Sequence, residues 1–136
     1  MSYNAAIEQL DDFTLAYLEC ILWTENDEST PAGGEPLDRN YTFDDFAPEA
    51  VERAAADCRR FQKENAPDLA RYDHPQWTAA ELGGHDLWLT RNGHGCGFWD
   101  RHDCLPEAAG EHLTKAAKKM GECYVTVGDD ENIYLS

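Results

Sequence analysis

Apolar positions over residues 4–23 recur at three- and four-residue steps, through Ile7, Leu10, Phe13, Tyr17, Leu18 and Ile21. Glu8, Asp11, Asp12 and Glu19 fall largely on the remaining face, so the spacing predicts an amphipathic helix. Ser2 or Asn4 would cap its start, and Leu15, Leu22 and Trp23 widen its apolar side for more than one neighbour. The pattern then stops. Residues 24–42 are turn-rich, acidic and short of apolar groups, which predicts a long exposed loop pinned at its far end by Leu37 and Tyr41. A second helix is predicted over 47–65, with Pro48 in its first turn and a buried stripe of Val51, Ala54, Ala55, Cys58 and Phe61. Asp44, Asp45 and Glu49 suit its positive end, and Arg59, Arg60 and Lys63 lie towards the other. Pro67 and Pro75 break the next stretch, which Leu69, Tyr72 and Trp77 anchor. A short helix over 76–82 is expected to stop at Gly83-Gly84.

Residues 84–100 read as a β-hairpin. Leu87 and Leu89 alternate with Asp86, Trp88 and Thr90, and Asn92-Gly93 supplies the positive φ of a tight connection. Phe98 and Trp99 then resume an aromatic strand, so the core is expected here. A helix follows over 106–121, with core positions Leu105, Ala109, Leu113, Ala116, Ala117 and Met120. Residues 123–127 and 132–135 are predicted strands about an Asp129-Asp130 turn. The expectation is one α+β domain over 1–136: N-terminal helices packed on a small, mainly antiparallel sheet, in the order α-α-(short α)-β-β-α-β-β.

Charge changes this picture more than composition does. Eleven basic residues face 27 acidic ones, for a net charge of −16. The imbalance sits in front: residues 1–52 hold thirteen acids and one base, Arg39, which is −12 for that half alone. Such a field repels nucleic acid and anionic lipid and attracts basic protein surfaces. Lys115, Lys118 and Lys119, the only lysine cluster, are too few to reverse it, so direct nucleic-acid binding is not expected. No apolar run approaches the ~18 residues of a membrane span, and no signal peptide is read, so a cytoplasmic protein is expected. The five cysteines are odd in number and irregularly spaced, which reads as reduced thiols.

Several stretches together resemble a family of small, acidic, uncharacterised bacteriophage proteins. The shared features are Leu18-Glu19-Cys20-Ile21-Leu22-Trp23, Glu35-Pro36-Leu37-Asp38, and the long motif from Gly84-His85-Asp86-Leu87-Trp88-Leu89-Thr90-Arg91-Asn92-Gly93-His94-Gly95 through Gly97-Phe98-Trp99-Asp100. The ending Val127-Gly128-Asp129-Asp130 belongs to the same likeness. The resemblance implies a phage setting and supplies no mechanism.

Candidate chemistry gathers on the motif. His85, His94, Cys96, His102 and Cys104 are zinc-ligand types, but no Cys-x-x-Cys pair is present and His-x-Cys occurs twice without a partner motif. Cys96 with His85 or His94 and Asp86 can be drawn as a cysteine-hydrolase set. The structural reading is favoured: the histidines bond turn backbone, the aspartates tie down loop amides, and Arg91 and Arg101 pair with Asp86 and Asp100. The acidic pairs Asp11-Asp12, Asp44-Asp45 and Asp129-Asp130 suit capping. No phosphate-cradling loop is found, since Gly93-His94-Gly95-Cys96-Gly97 lacks the strand–loop–helix setting and the lysine.

The reading expected from sequence is therefore a non-enzymatic interaction protein without cofactor or metal, monomeric or homodimeric. It would mimic DNA and occupy a basic nucleic-acid-binding surface of a host nuclease, restriction enzyme or CRISPR complex, as a counter-defence (anti-restriction or anti-CRISPR) inhibitor. The expected contacts are Glu25, Asp27, Glu28, Glu35, Asp38, Asp44, Asp45, Glu49 and Glu52. The alternative is a small enzyme or metal-binding protein with its site at His85, Asp86, Arg91 and His94.

Overall fold

A computed structural model describes residues 5–29 and 34–136. The expected caps Ser2 and Asn4 lie outside that range. The first expected helix is two: a single turn, α1 (Ala5–Glu8), and α2 (Asp12–Thr24). The break has a local cause. Asp11 takes the extended backbone of an N-cap, and its carboxylate accepts from the Thr14 amide at 2.9 Å, restarting the helix there. Helix α3 (Pro48–Leu69) begins with Pro48 as expected and buries Val51, Ala54, Cys58 and Phe61. It kinks at Asn65 (φ −126°, ψ 18°), just ahead of Pro67, which has no N–H to donate. The Asn65 side-chain amide bonds the Phe61 carbonyl at 3.0 Å. Helix α5 (Glu107–Lys119) follows the expected stripe, with Ala109, Leu113 and Ala117 buried.

The expected hairpin over 84–100 is overturned. Residues Ala79–Arg91 form a helix, α4, opened by a capping box between Thr78 and Glu81. Asn92-Gly93 makes no strand turn. It ends the helix: the Gly93 amide bonds the Thr90 carbonyl at 3.3 Å, the His94 amide bonds Leu89 at 3.0 Å, and Gly93 sits at φ +71°. That pair of bonds is the Schellman closure of a helix, and it draws on the same left-handed glycine that a hairpin turn needs. Beyond it lie a loop and one 3₁₀ turn, Phe98–Asp100.

Gly83-Gly84, expected to stop a short helix, lies inside α4 for a packing reason. A Cβ on Gly84 would fall 2.2 Å from the Phe13 carbonyl oxygen and 2.9 Å from Ala16 Cβ. The two glycines let α2 and α4 approach almost backbone to backbone. With α2 along one side and α3, α5 and the 3₁₀ turn on the others, α4 is the central helix and is buried on nearly every face. Leu87, Trp88, Leu89 and Phe98 lie in the core as expected, whereas Trp99 is 37% exposed. Trp88 meets Tyr17 edge-on at 5.3 Å, and Phe98 stacks on Phe61 at 5.7 Å.

Among the described residues, strand content is smaller than expected and is split into two antiparallel pairs. β1 (Asn26–Asp27) pairs with β2 (Glu35–Pro36), closing the base of the acidic loop, and Leu37 is buried just beyond. β3 (Val125–Val127) pairs with β4 (Ile133–Leu135), the two strands expected at the end. Ile133 also bridges to Phe46, and the Ala47 amide bonds its carbonyl at 2.9 Å, so this pair is tied to the entry of α3. The class is mixed α and β, but the helices pack on one another and not on a sheet layer. No helix among the described residues is long and apolar enough to cross a membrane.

Candidate functional site

The polar residues of the long motif are taken up one by one inside the fold. Asp86 is fully buried, and its carboxylate accepts two bonds from Arg101 Nε (3.2 and 2.9 Å), one from Arg101 Nη2 (2.9 Å) and one from the Tyr72 hydroxyl (2.6 Å). The expected Asp86–Arg101 pair is thus present, although it joins a helix to a loop and not two strands. Burial and the adjacent carboxylate hold the Tyr72 phenol far above its ordinary range. Arg91, expected to pair with Asp86 or Asp100, turns elsewhere. Its guanidinium donates to the Tyr17 hydroxyl and Asp57 at 3.0 Å each, and to the carbonyls of Gly121 (2.8 Å) and Met120 (3.4 Å). Thr90 Oγ1 accepts from the Phe98 amide, and the Asn92 side chain accepts from the Cys123 amide.

The two motif histidines bind different glutamates. His85 Nε2 lies 3.3 Å from Glu19, whereas His94 Nε2 lies 2.7 Å from Glu25, whose same oxygen also accepts from Trp88 Nε1 at 3.0 Å. No cysteine bonds either ring. Cys96 is the exposed thiol; partial burial, Asp100 and Asp86 raise its pKa, the wrong direction for a nucleophile. Burial pushes Cys20 up to about 12. Among the described residues no three His, Cys, Asp or Glu side chains converge as metal ligands. His85, Asp86, Arg91 and His94 each engage a different carboxylate or guanidinium: Glu19, Arg101, Asp57 and Glu25.

The nine expected contact carboxylates are placed unequally. Asp27 is buried, and hydrogen bonds from the Ser29 hydroxyl and amide hold its carboxyl below the usual range. Glu25 is turned inward onto His94 and Trp88. Asp45 accepts from the Thr42 amide in a capping box, and Glu35 lies 3.6 Å from Arg39. Asp44 is half-buried. Glu28, Asp38, Glu49 and Glu52 are exposed on the loop and the first turns of α3. Of the other acidic pairs, Asp11 caps α2 as expected, whereas Asp130 closes the β3–β4 turn by accepting from the Asn132 amide and the Tyr134 hydroxyl.

One concave surface was not anticipated. A groove of about 770 Å³ runs between α2 and the start of α4, reached also by Phe43 and by the 74–77 segment. Its floor includes Leu15, Ala16 and Leu82; Trp23 and Trp77 stand beside it, 64% and 53% exposed. Trp23 lies against His85 at 6.4 Å between ring centres. The sequence puts Trp23 on the widened apolar side of the first helix and Trp77 among the anchors of the proline-broken stretch, but both side chains are exposed. The available signal was Trp23 at the last turn of its helix, four residues after Glu19, and Trp77 two residues after a proline.

No protein family, curated protein or solved structure matches this chain.

Proposed function

We propose that the protein acts by binding a protein: its acidic front would occupy a basic, nucleic-acid-binding surface of a host factor and inhibit it. What supports this reading is the set of exposed carboxylates Glu28, Asp38, Glu49 and Glu52, with Glu35, Asp44 and Asp45 beside them, in a half whose single base is Arg39. DNA carries one charge per ~1.7 Å of axis, and carboxylates along a loop and a helix start offer a comparable series. Glu25 and Asp27 are turned to internal partners, His94 with Trp88 and Ser29 respectively, and stand outside this contact set. The phage resemblance makes counter-defence in the host cytoplasm, against a restriction enzyme or a CRISPR complex, the natural setting.

The experiment is a capture from host lysate with the protein and with a variant carrying Glu28→Gln, Asp38→Asn, Glu49→Gln and Glu52→Gln. The reading expects a basic nucleic-acid-binding protein that the variant loses and that dissociates steeply as salt rises, since long-range charge is screened. Equal capture by both proteins, insensitive to salt, overturns it.

A further inference from the structure

The groove between α2 and α4 has a shape and a charge that specify an occupant. Asp12, Leu15, Ala16, Glu19 and Trp23 line it at steps of three and four residues, a single stripe along one face of α2. At ~1.5 Å per residue that stripe is about 16 Å long, the span of roughly five residues of extended chain. It lies open to solvent along this length, unlike the clefts that enclose most of a small ligand.

The electrostatics are one-sided. Asp12, Glu19 and Glu81 rim the groove, Glu19 against His85 and Glu81 with one oxygen on the Thr78 amide. Of the facing basic side chains, Arg101 is committed to Asp86 through three hydrogen bonds, and the His85 ring lies against Glu19. His74 Nδ1 accepts from the amides of Gln76 (3.0 Å) and Trp77 (3.2 Å). The Trp23 and Trp77 faces add negative quadrupoles that attract ammonium and guanidinium groups. Apolar floor, aromatic walls and carboxylate rim together complement an apolar side chain flanked by cations.

We infer that this groove docks a short extended segment of a partner protein in which one or two apolar residues are flanked by lysine or arginine. The inference rests on the protein-binding reading above and adds a second, separate contact to it. The apolar anchor seats between Trp23 and Trp77 over Leu15 and Leu82, and the flanking cations meet Asp12, Glu19 and Glu81.

The test uses the peptide Lys-Arg-Leu-Phe-Arg-Lys, titrated into ¹⁵N-labelled protein in near-physiological salt. Binding is expected to shift the indole N–H signals of Trp23 and Trp77 and to leave that of buried Trp88 in place. The double variant W23A/W77A, at two exposed positions, is expected to melt near the wild type and to bind at least tenfold more weakly. Glu-Asp-Leu-Phe-Asp-Glu is expected not to bind. Absence of peptide binding, or equal affinity in the double variant, overturns the inference. So does concentration-dependent dimerisation abolished by W23A/W77A, which would make a second copy the occupant. The variant lacking the four outer carboxylates separates the two readings. Peptide affinity preserved there supports the groove even where that outer face proves idle, whereas its loss there with the indole shifts gone overturns the groove as a separate site.

Discussion

Arg101 holds the fully buried carboxylate of Asp86 in a forked grip, with Nε and Nη2 each 2.9 Å from a different oxygen. A planar guanidinium suits this geometry, and a bidentate pair is worth more than a surface ion pair because water does not compete for the inner oxygen. Arg101 itself is about one-third exposed, so the grip is dry on one side only. Removing the arginine would leave an uncompensated charge in the core with only the Tyr72 hydroxyl to serve it. Arg101→Met is expected to cost about 3 kcal/mol in chemical denaturation, near the lower end for a broken buried pair. Adding Asp86→Leu is expected to restore part of that loss, because the stranded charge goes with it. A double variant less stable than the single one would show that the carboxylate is held by its surroundings and not by Arg101.

Alanine is a better helix former than glycine by ~1 kcal/mol, so propensity alone favours Gly84→Ala. Packing reverses the sign. The new Cβ would collide with the Phe13 carbonyl oxygen, a backbone atom that cannot rotate away, and α2 and α4 would have to separate. The expected outcome is a loss of at least ~2 kcal/mol with a lower melting temperature, as for other overpacked contacts. Gly95→Ala is the control. Nothing lies within 4 Å of its Cβ position, and its φ is not positive, so stability is expected to stay within ~0.5 kcal/mol of the wild type.

A thiol reagent should read the cysteines in two steps. Cys96 is exposed, whereas Cys20, Cys58, Cys104 and Cys123 are buried. One equivalent is expected to react in the native protein and the other four only on unfolding. Because partial burial and the neighbouring Asp100 and Asp86 raise the Cys96 pKa, its thiolate is scarce at neutral pH. The rate is therefore expected to keep climbing beyond pH 9, where an ordinary thiol begins to level off.

Asp11 links stability to pH. Burial works against its ionisation, but hydrogen bonds from Thr14 and Gln62 outweigh it and hold its carboxyl below the usual 3.8. The folded value lies below the unfolded one, so the contribution is complete above the unfolded value and fades as pH falls through the folded one. Asp11→Ala is expected to destabilise by about 1 kcal/mol at pH 7, the usual cost of a lost cap. That gap should narrow in denaturation curves taken below pH 4. A gap constant down to pH 2 would place the cost in packing.

Legibility in the sequence followed how each segment meets water. Helices α3 and α5 each keep one wet face, so their apolar stripes and proline start or glycine end could be read directly. Helix α4 has almost no wet face. A helix enclosed all round loses its 3.6-residue signature, and the chance alternation of Leu87 and Leu89 with polar neighbours then passes for a strand. Asn92-Gly93 reinforced the error, because helix closure and hairpin reversal ask for the same backbone. The motif's histidines and Asp86 were expected on turn backbone and loop amides; they bond side chains instead, and those partners were out of reach. Trp88 and His94 meet Glu25 across 63 and 69 positions, and no local pattern carries that information. The groove was hidden for a related reason, since Trp23 and Trp77 come together only once α2 and α4 are packed.

The carbonyls that receive Arg91 come from Met120 and Gly121, and the last strand reaches back to Ala47. A chain cut before Met120 would still contain every aromatic of the central core, yet its innermost guanidinium would be missing two of its acceptors. The front of the molecule is therefore not a detachable module that the tail merely decorates. A fragment made to display the acidic half without Ile133 is expected to lose the partner of Phe46 and Ala47 at the entry of α3.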